Sequence, residues 1–108
     1  MLFRSQTLNF PFGVADLERY TGRPFSATSL HSVPFLITVG AQDNRSSDVP
    51  RQWDRYLGVT RIERAQSFVD ALSDIGVRAE LRIVPQTGHE VTGAMRQLGC
   101  EFLQSLLR

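Results

Sequence analysis

The chain predicts an α/β fold: a βαβα unit with two parallel strands, preceded by an irregular and partly helical segment. Three observations carry this. An apolar run, Val33 to Val39, and a stretch alternating apolar with charged residues, Ala79 to Val84, each end in a loop. A strongly periodic helix lies between them, and a second one follows. Strands alternating with helices at this spacing read as parallel strands joined by a crossover. With 108 residues and no internal repeat or linker, the chain is expected to form a single domain over 1–108. Residues 1–32 are its pre-strand segment and 33–108 its βαβα unit.

Residues 1–13 read as irregular, with Pro11 and Gly13 as breakers. Val14 to Tyr20 predicts a short helix, with Gly22 just beyond as a C-terminal signal. Phe25 to Leu30 is a second short helical stretch. Pro34 opens the first strand, Phe35–Val39, which is apolar on both faces apart from Thr38 and so suits a buried parallel strand.

Residues 40–58 form a long polar loop, within which Arg51–Tyr56 predicts a helical turn. Thr60 and Glu63 then make a capping box, with the hydroxyl on the N3 amide and the carboxylate on the N-cap amide. Ile62, Ala65, Phe68, Val69, Leu72 and Ile75 recur on one face, and Gly76 ends the helix. Ala79–Val84 alternates apolar and charged residues, a strand with one wet face. The last helix is expected from about Glu90 to Leu107. Its apolar stripe is Val91, Ala94, Met95, Leu98, Phe102 and Leu106, with Cys100 near that side in the core.

Composition narrows the function classes. The 42% hydrophobic content suits a folded protein, and the net charge of +1 is spread along the chain. No basic stripe points to nucleic acid, and no cationic amphipathic segment points to a membrane surface. No apolar stretch approaches the roughly 20 residues a membrane span needs. The first ten residues make a poor signal peptide. The single Cys100 forms no internal disulfide, which fits a reducing, cytoplasmic compartment. Two His and one Cys at scattered positions have no metal-ligand spacing, so neither metal nor cofactor is expected. All 12 basic residues are Arg, which fits GC-rich bacterial coding.

The chemistry is carried by two strand ends. The first strand runs into Gly40-Ala41-Gln42-Asp43, and the second into Pro85-Gln86-Thr87-Gly88-His89. Both loops fall at carboxyl ends of strands, where open α/β sheets build ligand sites. Strand then acid, strand then base, matches the latter part of a Ser-Asp-His order. For His89 the chemical role is general base, and the bland alternative is a loop histidine capping the last helix. For Asp43 the role is to hold the imidazole tautomer. An Asp in a turn is the alternative, and Asp48 and Asp54 are the other candidate acids. Glu90 reads as a helix-dipole partner, and His31 as structural or solvated. Trp53 and Tyr56 either pack over the site or anchor the loop, the anchor being favoured.

These segments resemble a known family. Val33-Pro34-Phe35-Leu36-Ile37-Thr38-Val39-Gly40-Ala41-Gln42-Asp43, then Arg61-Ile62-Glu63-Arg64-Ala65, then Leu81-Arg82-Ile83-Val84-Pro85-Gln86-Thr87-Gly88-His89, resemble the C-terminal part of α/β-hydrolases. Within them the chain looks most like bacterial esterases related to polyhydroxyalkanoate depolymerases. Phe10–Gly13 through Gly22–Phe25 resembles the segment before that strand, so the likeness covers nearly the whole chain. It implies a partial α/β-hydrolase fold, a serine carboxylic ester hydrolase, Asp43 as triad acid and His89 as triad base. It also implies a small ester as substrate.

One part of the pattern is missing. The family nucleophile sits in a G-x-S-x-G elbow. Ser5, Ser26, Ser29, Ser32, Ser46, Ser47, Ser67, Ser73 and Ser105 all lack those flanking glycines. Two readings follow. One is an inactive-alone portion of a hydrolase whose nucleophile comes from elsewhere. The other is a non-catalytic α/β module that binds a ligand or partner at the strand ends. On the first reading the strand Phe35–Val39 would have lost the sheet that flanks it in an α/β-hydrolase, so self-association or a partner chain along that edge is expected; a soluble monomer would favour the second.

Overall fold

A computed structural model of the protein describes Asn9 and residues 13–107. Of the irregular opening expected over 1–13, only Asn9 and Gly13 are among the described residues; the Gly13 N–H donates to the Asn9 carbonyl at 3.0 Å. Pro11 and, apart from Asn9, the other residues before Gly13 lie outside them. In chain order the elements are α1 (Leu17–Thr21), β1 (Phe35–Gly40), α2 (Asp54–Leu57), α3 (Arg61–Asp74), β2 (Ala79–Val84) and α4 (Gly93–Leu106). Short 3₁₀ turns lie at Thr28–Leu30, Ser46–Asp48 and Arg51–Trp53. This is mixed α/β, with β1 and β2 paired as a two-stranded parallel sheet. The register shows the parallel sense directly. The Phe35 N–H bonds the Arg78 carbonyl and the Ala41 N–H bonds the Val84 carbonyl, a constant offset along both strands.

The described residues group into two compact units, those within 1–35 with Val69–Ala79, and Leu36–Phe68 with those within 80–108. In the first unit, α1 stops at Gly22, which takes a left-handed φ of 76° and returns its N–H to the Glu18 carbonyl at 2.8 Å. The second expected helix, Phe25–Leu30, is only the 3₁₀ turn Thr28–Leu30. The end of α3 is a Schellman motif around Gly76, whose φ is 83°. The Gly76 N–H bonds Ser73 O at 3.0 Å and the Val77 N–H bonds Leu72 O at 2.9 Å. Leu72 (2% exposed) and Val77 (3%) are both buried, the apolar contact that accompanies this turn. His31, expected to be structural or solvated, places Nε2 2.6 Å from the Ile75 carbonyl at the same helix end.

In the second unit, the expected capping box is present. The Glu63 N–H donates to Thr60 Oγ1 at 3.2 Å, while Glu63 Oε2 accepts from the N–H groups of Thr60 (3.1 Å) and Val59 (2.8 Å). Such a cap contributes about 1 kcal/mol. It holds the first turn of α3, the turn that reaches the site. Phe68 stays 44% exposed because it lies about 100° round the helix from the buried Val69.

The long loop after β1 is more ordered than its polarity suggests. Arg64 donates to the carbonyls of Pro50 (2.6 Å) and Gly58 (3.1 Å) and to Asp54 Oδ1 (3.3 Å), and Ser67 Oγ donates to Leu57 O (2.9 Å). Each bond satisfies a loop group with a side chain from α3, which stands in for the backbone pairing a loop lacks.

Four further expectations need correcting. Helix α4 starts at Gly93, not Glu90. Thr92 is its N-cap, with Oγ1 accepting from the Met95 N–H at 3.3 Å. A threonine side chain can satisfy that orphan amide, whereas the Glu90 N–H is spent in a tight turn on the Gly88 carbonyl. Glu90 therefore lies outside the first helical turn, and Val91 is 70% exposed. Cys100 is exposed rather than core: five residues beyond the buried Met95, it sits about 140° round the helix. In β2, Val84 is buried but Ile83 is 49% exposed, so the alternation does not hold to the strand's end. Among the described residues no helix is long and apolar enough to cross a membrane.

Candidate active site

The site is made where the two parallel strands run out. Beyond β1 the pairing continues into the loops: the Ala41 N–H bonds Val84 O and the Gln42 N–H bonds Thr87 O, both at 2.8 Å. The Asp43 N–H then folds back onto Gly40 O at 3.0 Å. On the other strand, Gln86 takes a left-handed φ of 54°, uncommon for a residue with a Cβ. That turn, with Thr87 buried and its hydroxyl on the Pro85 carbonyl at 3.0 Å, reverses the chain toward Gly88 and His89.

The loops meet at one hydrogen bond. His89 Nδ1 lies 2.7 Å from Asp43 Oδ2. A carboxylate only accepts, so Nδ1 carries the proton and the lone pair of a neutral imidazole is left on Nε2. The two partners differ sharply in environment: Asp43 is 5% exposed, whereas the His89 side chain is 68% exposed. A buried acid that orients an open base is the arrangement general-base chemistry needs.

The structure brings together the two site residues expected from the sequence, and it sets the other candidate acids beside arginines. The Asp48 carboxylate lies 3.6 Å from Arg61, and Asp54 pairs with Arg51 at 2.5 Å and Arg64 at 3.3 Å. Tyr56 is 38% exposed, with the Arg55 guanidinium 5.8 Å from its ring centroid. Trp53 is half-buried.

One site residue has no counterpart in the sequence reading. Arg61, the first residue of α3, donates from Nη1 to Asp43 Oδ1 at 2.9 Å and from Nη2 to the Asp48 carbonyl at 3.3 Å. A signal for it was present. The capping box places Arg61 in the first turn of α3, where the helix dipole disfavours a cation and an acidic partner offsets that.

Burial pushes the Asp43 carboxyl up. The hydrogen bond from Arg61, then that from His89, and the positive charge beside it outweigh this and hold it below the ordinary carboxylate value. A carboxylate whose folded value is depressed contributes stability above its unfolded value and loses it as pH falls through the folded one. Stability is therefore expected to drop below about pH 4, more steeply in the native protein than in Asp43→Asn. Thermal melts across the acid range check this; parallel curves for the two proteins would remove Asp43 from the acid response.

Beside the pair is an open cleft of about 490 Å³. Val39, Ala65 and Met95 give it apolar lining, and Arg61, His89 and Glu90 give it polar lining. Among the described residues no serine lines it, and no group of three His, Cys, Asp or Glu side chains could hold a metal. No family model, no curated protein and no solved structure matches this chain.

Proposed function

We propose that Asp43 and His89 are the acid and base of a serine carboxylic ester hydrolase, carried on the part of an α/β-hydrolase-type fold that holds the last two triad members. The nucleophilic serine would come from residues outside these 108, in the same or a second chain. One observation carries the reading: a buried carboxylate and an exposed imidazole joined at 2.7 Å, at the carboxyl ends of two parallel strands. The likeness of the strand-end segments to bacterial esterases and depolymerase relatives supports the ester as substrate class.

In this mechanism His89 Nε2 takes the proton from a serine hydroxyl as its oxygen bonds the ester carbonyl carbon. The same proton then passes to the departing alkoxide. Water repeats the cycle on the acyl-serine, giving the acid and the free serine. Asp43 holds Nδ1–H and stabilises the imidazolium formed between the two transfers. Among the described residues the sheet is two-stranded, β1 with β2, and the chain that brings the serine, or a second copy, would add along β1.

A non-catalytic ligand-binding module is the second reading. It is favoured by the cleft and by the lack of a G-x-S-x-G elbow.

The DNA directly upstream, and the neighbouring genes, distinguish the two. An elbow found there should, when its product is expressed with these residues, give ester hydrolysis that His89→Ala abolishes. Hydrolysis indifferent to His89→Ala would refute the base assignment. No elbow at either place would favour the binding module.

A further inference from the structure

We infer that Arg61 is a positioning residue, whose guanidinium sets the plane of the Asp43 carboxylate so that one oxygen is presented to His89 Nδ1; this rests on the acid–base reading of that pair. A carboxylate held by one hydrogen bond can turn about its Cβ–Cγ bond and offer either oxygen. Here each oxygen has its own partner, Oδ1 on Arg61 at 2.9 Å and Oδ2 on His89 at 2.7 Å. Two partners on opposite oxygens leave the carboxylate a single orientation.

Arg61 is itself held in place. It follows Thr60, whose capping box with Glu63 fixes the first turn of α3. Its second terminal nitrogen bonds the Asp48 carbonyl at 3.3 Å, so one guanidinium ties both the start and the far side of the acid loop to that helix. Side-chain exposure is 31% for Arg61 and 5% for Asp43, so the cation meets solvent where the acid does not. A lysine could supply the charge but not the planar fork that reaches two groups at once.

The tautomer of His89 reads this out, because it depends on where Asp43 Oδ2 points and not on catalysis. Nitrogen-15 spectra of the full chain, at a pH where the imidazole is neutral, should show the proton mainly on Nδ1. Arg61→Gln should drop that share below half, and Arg61→Lys should fall between the two. Arg64→Gln is the control for general destabilisation. It cuts the bonds to Pro50, Gly58 and Asp54 without touching Asp43, so it should lower the melting temperature and leave the tautomer alone. An unchanged tautomer in Arg61→Gln would overturn the inference while leaving the acid–base pair intact. Should Arg61→Gln fail to fold, an unchanged tautomer in Arg61→Lys overturns it equally. A native protein with its proton on Nε2 would instead defeat the acid–base reading, and the inference with it.

Discussion

The purified 108-residue chain is expected to hydrolyse short acyl esters no faster than a buffer blank. The His89 imidazole is exposed and its Nδ1 is held by Asp43, but a base without a hydroxyl in reach has no oxygen to activate. No serine of the chain has the flanking glycines of an elbow, and among the described residues none lines the cleft beside His89. In a triad hydrolase, loss of the nucleophile alone removes on the order of 10⁶ in turnover. Activity of the isolated chain should therefore be undetectable rather than merely low. A p-nitrophenyl acetate assay of the native chain against His89→Ala makes the comparison. Turnover that disappears with the imidazole would mean that another hydroxyl had been recruited, Ser46 and Ser47 of the acid loop being nearest in sequence to Asp43.

Replacing Gly40 by alanine should do the most damage of any single methyl added near the site. Gly40 is the last residue of β1, and its backbone lies against the turn that carries His89. A Cβ there would sit inside van der Waals contact with the Thr87 and Gly88 carbonyl oxygens and 2.6 Å from the Thr87 carbonyl carbon. These are backbone atoms, so no side chain can rotate away. The strand ends must separate, and the hydrogen bonds from Ala41 and Gln42 to the opposite strand go with them. The cost is expected at the upper end of about 1–3 kcal/mol or beyond it. The His89–Asp43 hydrogen bond should be lost as well. Gly88→Ala is the paired control: its added carbon meets no atom within 4 Å, so stability should change by roughly 0.5 kcal/mol or less. Urea unfolding of the two variants measures the difference. Equal midpoints would mean the strand ends do not approach as closely as described.

Much of the local structure was legible because its causes are local. Thr60 and Glu63 announce the start of α3 through bonds that span three residues, and Gly76 announces its end by tolerating a left-handed φ. The strand limits follow from apolar runs bounded by Pro34 and by loop residues. The same local signals put the start of α4 too early. Glu90 and Thr92 both suit a helix start, and only the backbone turn at Gly88 decides which amides remain to be capped. Periodicity likewise gives the apolar side of a helix but not its width, so Cys100 and Phe68, expected on that side, lie where the core does not reach.

The chain order by itself determined that an acid and an imidazole follow two successive strands. Parallel pairing then brings those loops to one end, since strands that run the same way finish at the same edge. What only the tertiary structure decided is how the pair is held. Arg61 meets Asp43 across 18 residues of sequence, the Gln86 turn aims the imidazole, and Gly40 admits the Thr87 carbonyl where no side chain fits. The reason is physical. Caps, turns and periodicity act over a few residues and leave marks in composition, whereas an ion pair or a backbone contact between distant segments depends on distances that exist only once the chain has folded.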